Sequence, residues 1–504
     1  MPASWPACSG VRSGLVLGAT AASESTNRIG RYCDTDLYDC AKILSINCAP
    51  GVRKEHEDLN VASPLEVQNA ILNGSTAFGW SYKGTGKVDL EQVPLRGYVR
   101  RHEEGHIEFE ALDENPIKEG PLLLNAEAPP MLVLSTPHGA AILLDVHPQT
   151  GGSFNFGGGS ASVVRFRADS VASGIDIYEI KTARMKSLAL RFPGFGGWAG
   201  MNSFTRPTTA SARHGGATLE LRPTRREVSK RSLHSSLALS VEGYWDFVDS
   251  GPSAVTVHTG LDVEVSAVRA RAFGQFIEPL LDFQDLLSLV NRGFVASAPA
   301  PTGLLGVGGG SPLLWNRRAM YTPKGAILAS GRPRPLVSLA DLGGVAGLAR
   351  WSNLRRDHRV VVDTVSTPYR NGPDTIETAI IRVGSAIELW VAAHRRVAAW
   401  AEKGRSKSFA EALALHVGGP FEKWVGSTAN WAEQFTLHYN GTKHHTPHVI
   451  DPEALRAFAT TGRWLLVCAL LNRIAGTKQP SRSILNSYQL EHTGESVRQV
   501  LSRI

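Results

Sequence analysis

The stretch Gln275–Gly293, QFIEPLLDFQDLLSLVNRG, lies where the chain changes its period. Phe276, Leu280, Phe283, Leu287 and Val290 recur every three to four residues. That spacing lines them along one face of a helix, which Gly293 closes. Before it, from about Ala77, short runs of four to eight residues alternate with Pro, Gly and Asn. GYVRRHEEGHIEFEAL (Gly97–Leu112) reads as a hairpin turning at Glu103-Glu104-Gly105. MLVLSTPHGAAILLDV (Met131–Val146), SASVVRFRADSV (Ser160–Val171), SLALRFPG (Ser187–Gly194) and SAVTVHTG (Ser253–Gly260) continue the pattern. Such spacing predicts an all-β part of sandwich or barrel type. GGSFNFGGGSAS (Gly151–Ser162) is glycine-rich without the Lys-Ser/Thr of a phosphate loop, and reads as a flexible surface loop.

After the switch, ASAPAPTGLLGVGGGSP (Ala296–Pro312) has linker composition. The remainder is helical. Asp374 and Glu377 form a capping box, and Ile376, Ile380, Val383, Ile387 and Trp390 follow at helix spacing. Ser408 and Glu411 open a second helix that ends at Gly418-Gly419. Trp424, Trp431, Phe435 and His438 mark a third. Asp451-Pro452 caps a fourth, which carries Leu455, Phe458, Leu465 and Leu470 and closes at Gly476. The expected fold is therefore multidomain α+β. Its parts are an extension with little structure (1–65), a β-rich sandwich or barrel-like domain (66–295), a linker region (296–345) and an all-α bundle (346–504).

The chain has 504 residues, 42% of them hydrophobic and 20% charged, which places it with globular rather than disordered proteins. Its formal charge of +7 is compatible with a nucleic-acid partner. Four of five cysteines (Cys8, Cys33, Cys40, Cys48) fall in the first fifty positions, with no CxxC spacing; Cys468 is the fifth. Reduced thiols in a cytoplasm account for this better than a metal site. Val11–Ser25 has too short an apolar stretch and too thin a basic flank for a signal peptide, and no membrane span is expected.

HYNGTKHH (His438–His445) packs three histidines and a lysine into eight residues at the end of the third helix. The helical part resembles a HEPN domain, the bundle of many defence and toxin ribonucleases. That family's motif is an arginine, then four to six intervening residues, then histidine, often with Asn directly after the arginine. Asn440 and His444 match the Asn and His. Tyr439 stands where the arginine is expected, and no arginine lies at an allowed spacing before His444, His445 or His448. The β-rich part resembles the domain that precedes HEPN in ApeA-like antiphage proteins. The stretches that carry this are FGWSYKG (Phe78–Gly84), VPLRGYVRRHEEGHIEFEAL, SLALRFPGFGGWAG and FIEPLLDFQDLLSLV.

The resemblance implies a metal-independent endoribonuclease without cofactors, acting on cellular RNA, plausibly tRNA. A phage protein would trigger it, and two copies would form one composite cleft across a homodimer. His444 would be the base that takes the 2′-hydroxyl proton, a role suited to an imidazole pKa near 6.5. Asn440 would orient the phosphate. Lys443 is the first candidate to replace the missing cation, with protonated His438 or His445 next. From the residues alone, other readings stay open. Asn440-Gly441 suits a helix C-cap, and His438 suits the core. Glu388 suits a solvent-facing position, and His445 and His448 suit a loop. Arg355, Arg356 and Arg359, within ARWSNLRRDHR (Ala349–Arg359), are candidate RNA-phosphate contacts, as is the run Arg222–Arg231. Two further functions compete. One is a degenerate HEPN that binds RNA or dimerises without cutting. The other is a glycan-binding β domain using the aromatic loop FPGFGGWAG (Phe192–Gly200).

Overall fold

A computed structural model of the chain describes residues 62–82, 94–113, 131–149, 153–156, 159–175, 184–201, 229–249, 255–304, 312–329, 334–402, 408–444 and 451–504. The expectations for the first 61 residues, for 222–228, and for His445 and His448 lie outside them. A short helix, α1 (Pro64–Asn73), comes first. Ser63 Oγ accepts from the Glu66 N–H, and the Glu66 carboxylate accepts from the Ser63 N–H, with Pro64 in the first turn.

Strands β1 (Ser75–Tyr82), β2 (Leu95–Arg101) and β3 (Ile107–Asp113) follow, then the hairpin β4 (Met131–Thr136) and β5 (Gly139–Gln149). β6 (Ser153–Phe156) leads into the long β7 (Gly159–Ser173). All pairings are antiparallel in the order β3-β2-β1-β4-β5-β7, and β3 pairs back onto β7 with Phe109 opposite Phe166. Six strands thus close a barrel, which removes the free edges of the sheet. Phe109, Phe166, Leu132, Leu134 and Leu143 fill one core together with Val67 and Ile71 of α1. The alternate residues Met131, Val133, Ile142 and Leu144 belong to a second core. Apolar residues on both faces explain why MLVLST and AAILL read as nearly continuous hydrophobic runs.

The segment read as a glycine-rich loop is different. Residues 153–156 pair antiparallel with 159–162, so strands occupy much of it. The second sheet is built from β8 (Arg184–Pro193), β9 (Ser229–Ser232), β10 (Leu237–Asp249) and β11 (Val255–Ala272), with β12 (Ala300–Leu304) on the other side of β8. β13 (Leu313–Asn316) pairs with β12 and with the end of β7, opposite Ser170–Ser173, just past the point where β3 leaves that edge. The expected linker region at 296–345 therefore carries the two strands that splice barrel to sheet. A short edge strand such as APTGL (Ala300–Leu304) has the composition of a linker, so the pattern could not separate them.

α2 (Phe273–Val290) begins directly after β11, as the period switch predicts. After α3 (Arg317–Met320) come α4 (Gly344–Asp357), α5 (Arg359–Asn371), α6 (Ile376–His394), α7 (Phe409–Val417), α8 (Gly419–Val425) and α9 (Thr428–Lys443). α10 (Pro452–Ala475), α11 (Gln479–Leu485) and α12 (Tyr488–Arg503) complete the chain. The helical part is larger than the expected four helices. α4 and α5 occupy the arginine-rich segment, and α11 and α12 lie beyond Gly476. The cap of α6 is Thr375, whose hydroxyl accepts from the Thr378 N–H; Asp374 instead binds Arg382 at 2.7 Å. α10 is long and apolar enough to cross a membrane by composition, yet 78% of its most apolar window is buried within the protein. It is the central helix of the bundle.

One continuous core runs from the outer face of β4 and β5 through α2 to Val500 of α12, and Ala62–Ile504 forms a single compact unit. The barrel interior keeps a core of its own, while the second sheet and the helices pack into the other. α2 is the seam, and polar groups tie it to α4 and α5. The Arg355 guanidinium contacts Asp282 at 3.3 Å, Asp363 at 3.0 Å and Asp285, and Arg370 reaches Asp285 at 3.3 Å. Ser352 Oγ donates to Asp282 at 2.7 Å, and Trp351 Nε1 donates to the Asp282 carbonyl at 2.9 Å. Arg355 is 13% exposed and fully engaged by carboxylates, so it is not offered to RNA phosphate. Burial pushes the Asp282 carboxyl up to about 7, against the opposing pull of Arg355 and Ser352.

Two outcomes follow from this cluster. Arg355→Ala leaves three carboxylates without their main cation and should lower stability by about 3–5 kcal/mol in urea unfolding. Asp282 holds its proton more tightly folded than unfolded, where its pKa is about 3.9. Its contribution is complete below that pH and is lost as pH rises through about 7. Asp282→Asn should therefore flatten the fall in unfolding midpoint between about pH 4 and 7.

Candidate functional site

α9 places HYNGTK on its last turn and a half. Ser427 caps its start by accepting from the Asn430 N–H. The helix runs through Asn440-Gly441 and ends at His444, whose N–H bonds the Asn440 carbonyl at 2.9 Å. The cap reading of Asn440-Gly441 is thus not realised. Glycine inside a helix costs roughly 1 kcal/mol. Buried Tyr439 and Thr442 on the same turn oppose that cost by anchoring it to the bundle.

Tyr439 points inward. It is 3% exposed, continues the ring series of Trp431 and Phe435, and lies against Gly384 of α6. A Cβ at position 384 would fall inside the Tyr439 ring, so that glycine lets the two helices approach. The Tyr439 hydroxyl donates to Glu388 Oε2 at 3.1 Å and accepts from Lys443 Nζ at 2.9 Å, with Ser385 Oγ at 3.3 Å. Lys443 also pairs with Glu388 at 3.6 Å. The Tyr439 hydroxyl and the Glu388 carboxylate hold the Lys443 ammonium above the usual lysine range. Glu388 is half-buried: its side chain keeps solvent access at 37% exposed while it meets Tyr439 and Lys443 at the cavity.

Asn440 and His444 lie one helical turn apart, both exposed, and neither side chain hydrogen-bonds a described residue. Leu437, 61% exposed, shares their face at i, i+3 and i+7. Beside them, α6, α7 and α9 enclose a cavity of about 350 Å³ lined by Glu388, Val391, Phe409, Tyr439 and Asn440. His438 faces the other way. Its Nδ1 lies 2.8 Å from the Gln434 carbonyl and its ring tilts onto Phe458 of α10 at 4.8 Å. Of the candidate residues, the structure groups Tyr439 with Lys443, pairs Asn440 with His444, and sets His438 apart. Arg356 and Arg359 are exposed on α4 and α5, paired with Asp357 at 3.0 Å and Asp363 at 3.4 Å.

Residues 81–296 match the family model described as ApeA N-terminal domain 1. Over these residues the chain is ApeA-like. Comparison with curated proteins and with solved structures finds no match. The ApeA-type segment runs from the end of β1 through the barrel, the second sheet and α2, and stops before β12. It supports an antiphage-defence protein of ApeA type. α9 and its polar cluster lie outside it. Within the ApeA-type segment, the loop at Phe192–Gly200 is no aromatic platform. Trp198 is 5% exposed, donates its Nε1 to the Val337 carbonyl at 2.9 Å and meets the edge of Phe283.

Glu388 and Ser385 enter the site only through α6. The available sequence signal was Gly384, a glycine within an otherwise helical pattern, which marks a close approach. Gly384→Ala should push Tyr439 off its seat and destabilise by about 1–3 kcal/mol. Thermal unfolding of the full chain, compared with Gly441→Ala on the open side of α9, measures this.

Proposed function

We propose that this ApeA-like chain is a cytoplasmic antiphage protein whose helical part is a HEPN-type, metal-independent endoribonuclease acting on cellular RNA, with tRNA as the first substrate to test. The observation that carries the reading is the pair Asn440 and His444, exposed, unpartnered among the described residues and one turn apart on α9. A free imidazole can take a 2′-hydroxyl proton, and a neighbouring amide can hold the phosphate that the resulting alkoxide attacks. Exposed Leu437 on the same face supports a homodimer that brings two such pairs into one cleft. The ApeA-type part would sense a phage component and hold the helical part silent.

One observation favours the degenerate reading, in which the bundle binds RNA or a second copy without cutting. The cation expected at position 439 is absent, and the nearest substitute, Lys443, is already engaged by Glu388 and Tyr439. Losing a preorganised donor to a developing anion costs about 10²–10³ in rate.

The test uses full-length protein with bulk tRNA in EDTA, beside His444→Ala and Asn440→Ala, with mapping of new 3′ ends. The nuclease reading expects cyclic-phosphate ends and a loss of about 10²–10⁴-fold in His444→Ala. Retained RNA binding with no cleavage by any variant, including protein isolated from infected cells, would establish the degenerate reading instead. Glu388→Gln should release Lys443 and raise cleavage if the ammonium stands in for the missing arginine. An unchanged rate would remove Lys443 from the mechanism.

A further inference from the structure

The turn between β2 and β3, in the ApeA-type segment, carries three metal-ligating side chains at alternate positions. His102, Glu104 and His106 each offer one donor atom within 4.8 Å of the others. The two imidazole rings stack at 4.4 Å between centroids. His106 is 4% exposed, and its Nδ1 has no hydrogen-bond partner; it faces Glu104 Oε2 at 3.9 Å. A buried nitrogen without a partner is destabilising, because it gave up its bonds to water and gained none. Nothing in the packing of the turn uses it.

The backbone of the turn is held by other means. His102 N–H bonds the His106 carbonyl at 2.7 Å, and Gly105 N–H bonds the His102 carbonyl at 2.8 Å. From outside, Tyr321 donates its hydroxyl to the Glu103 carbonyl at 2.6 Å, and Arg317 Nε donates to the Glu104 carbonyl at 3.0 Å. Gly105 has φ +87°, and a Cβ there would strike the Tyr321 ring. The turn's shape is therefore fixed without side-chain bonds from Glu104 or from His106 Nδ1. His102 gives only an acceptor at 3.2 Å to the Glu104 N–H. Such preorganisation suits ligands whose bonding partner is an ion.

We propose that His102, Glu104 and His106 bind one divalent transition-metal ion, with zinc the best fit to two imidazoles and a carboxylate. Three protein donors leave a fourth position open to water or to an added ligand. A cavity of about 650 Å³ adjoins the turn, lined by His102, Glu104, Asp169, Arg317, Lys324 and Arg370. The Arg317 charge is partly offset by Asp169 at 3.2 Å, which limits its repulsion of a cation. The site lies in the barrel, outside α9, and stands independently of the RNA reading.

The test is a Co²⁺ titration of untagged, chelator-stripped full-length protein, read by its visible absorption and by competition with Zn²⁺. One Co²⁺ should bind with the intense bands of a four-coordinate site, and Zn²⁺ should displace it. Glu104→Gln, at an exposed side chain, should weaken binding by at least about 10-fold with the unfolding midpoint unchanged. His102→Ala should do the same. Absence of a cobalt spectrum in the wild type overturns the proposal. So does a spectrum that neither substitution alters, which would assign the ion to the cysteines instead.

Discussion

Arg355 sits among the carboxylates of Asp282, Asp285 and Asp363, and this contact joins the two halves of the molecule. α2 carries two of those acids and leaves the sheet with apolar side chains on nearly every side. Such a helix must be covered all round. The sheet of β8 and β11 covers one side, and α3, α4 and α5 pack on the others. Gln284 shows the same requirement in its amide. Its Nε2 donates to the Val295 and Ala319 carbonyls at 2.7 Å each, and its Oε1 accepts from Arg370 at 3.0 Å. The second sheet and the helical part therefore pack into one core and share a polar seam.

At α9 the side chain at position 439 sets the local chemistry. Tyr439 turns into the bundle and stacks in line with Phe435. Its hydroxyl then gathers Glu388, Lys443 and Ser385. The charge of Lys443 is thereby opposed by a carboxylate at 3.6 Å. The outward face of the same turn keeps Asn440 and His444 free of described partners. The helix thus separates an internally satisfied cluster, seated on buried Tyr439, from an exposed pair with unused hydrogen-bonding capacity.

Much of this architecture was legible beforehand. The switch to a 3.6-residue period placed α2, the alternation placed the barrel hairpins, and Asp451-Pro452 and Gly476 bounded α10. The same local signals failed where tertiary contacts outweighed them. Gly441 stayed helical because Tyr439 and Thr442 are anchored. Asp374 gave up the cap of α6 to Thr375 because Arg382 claims its carboxylate. Residues 300–304 and 313–316 became strands because β7 and β8 each had an edge to offer.

The amino-acid sequence by itself determined the order of elements, their periods, the ApeA-type β part and the presence of Asn440 and His444 four residues apart. Those are properties of neighbours along the chain. Tertiary structure alone decided that Arg355 is spent on carboxylates, that Trp198 is buried, and that Glu388 meets Tyr439 and Lys443. It also decided that the second sheet, the outer face of β4 and β5 and the bundle share one core. Each depends on groups tens to hundreds of residues apart, whose charge and polarity are settled only by what the fold sets beside them.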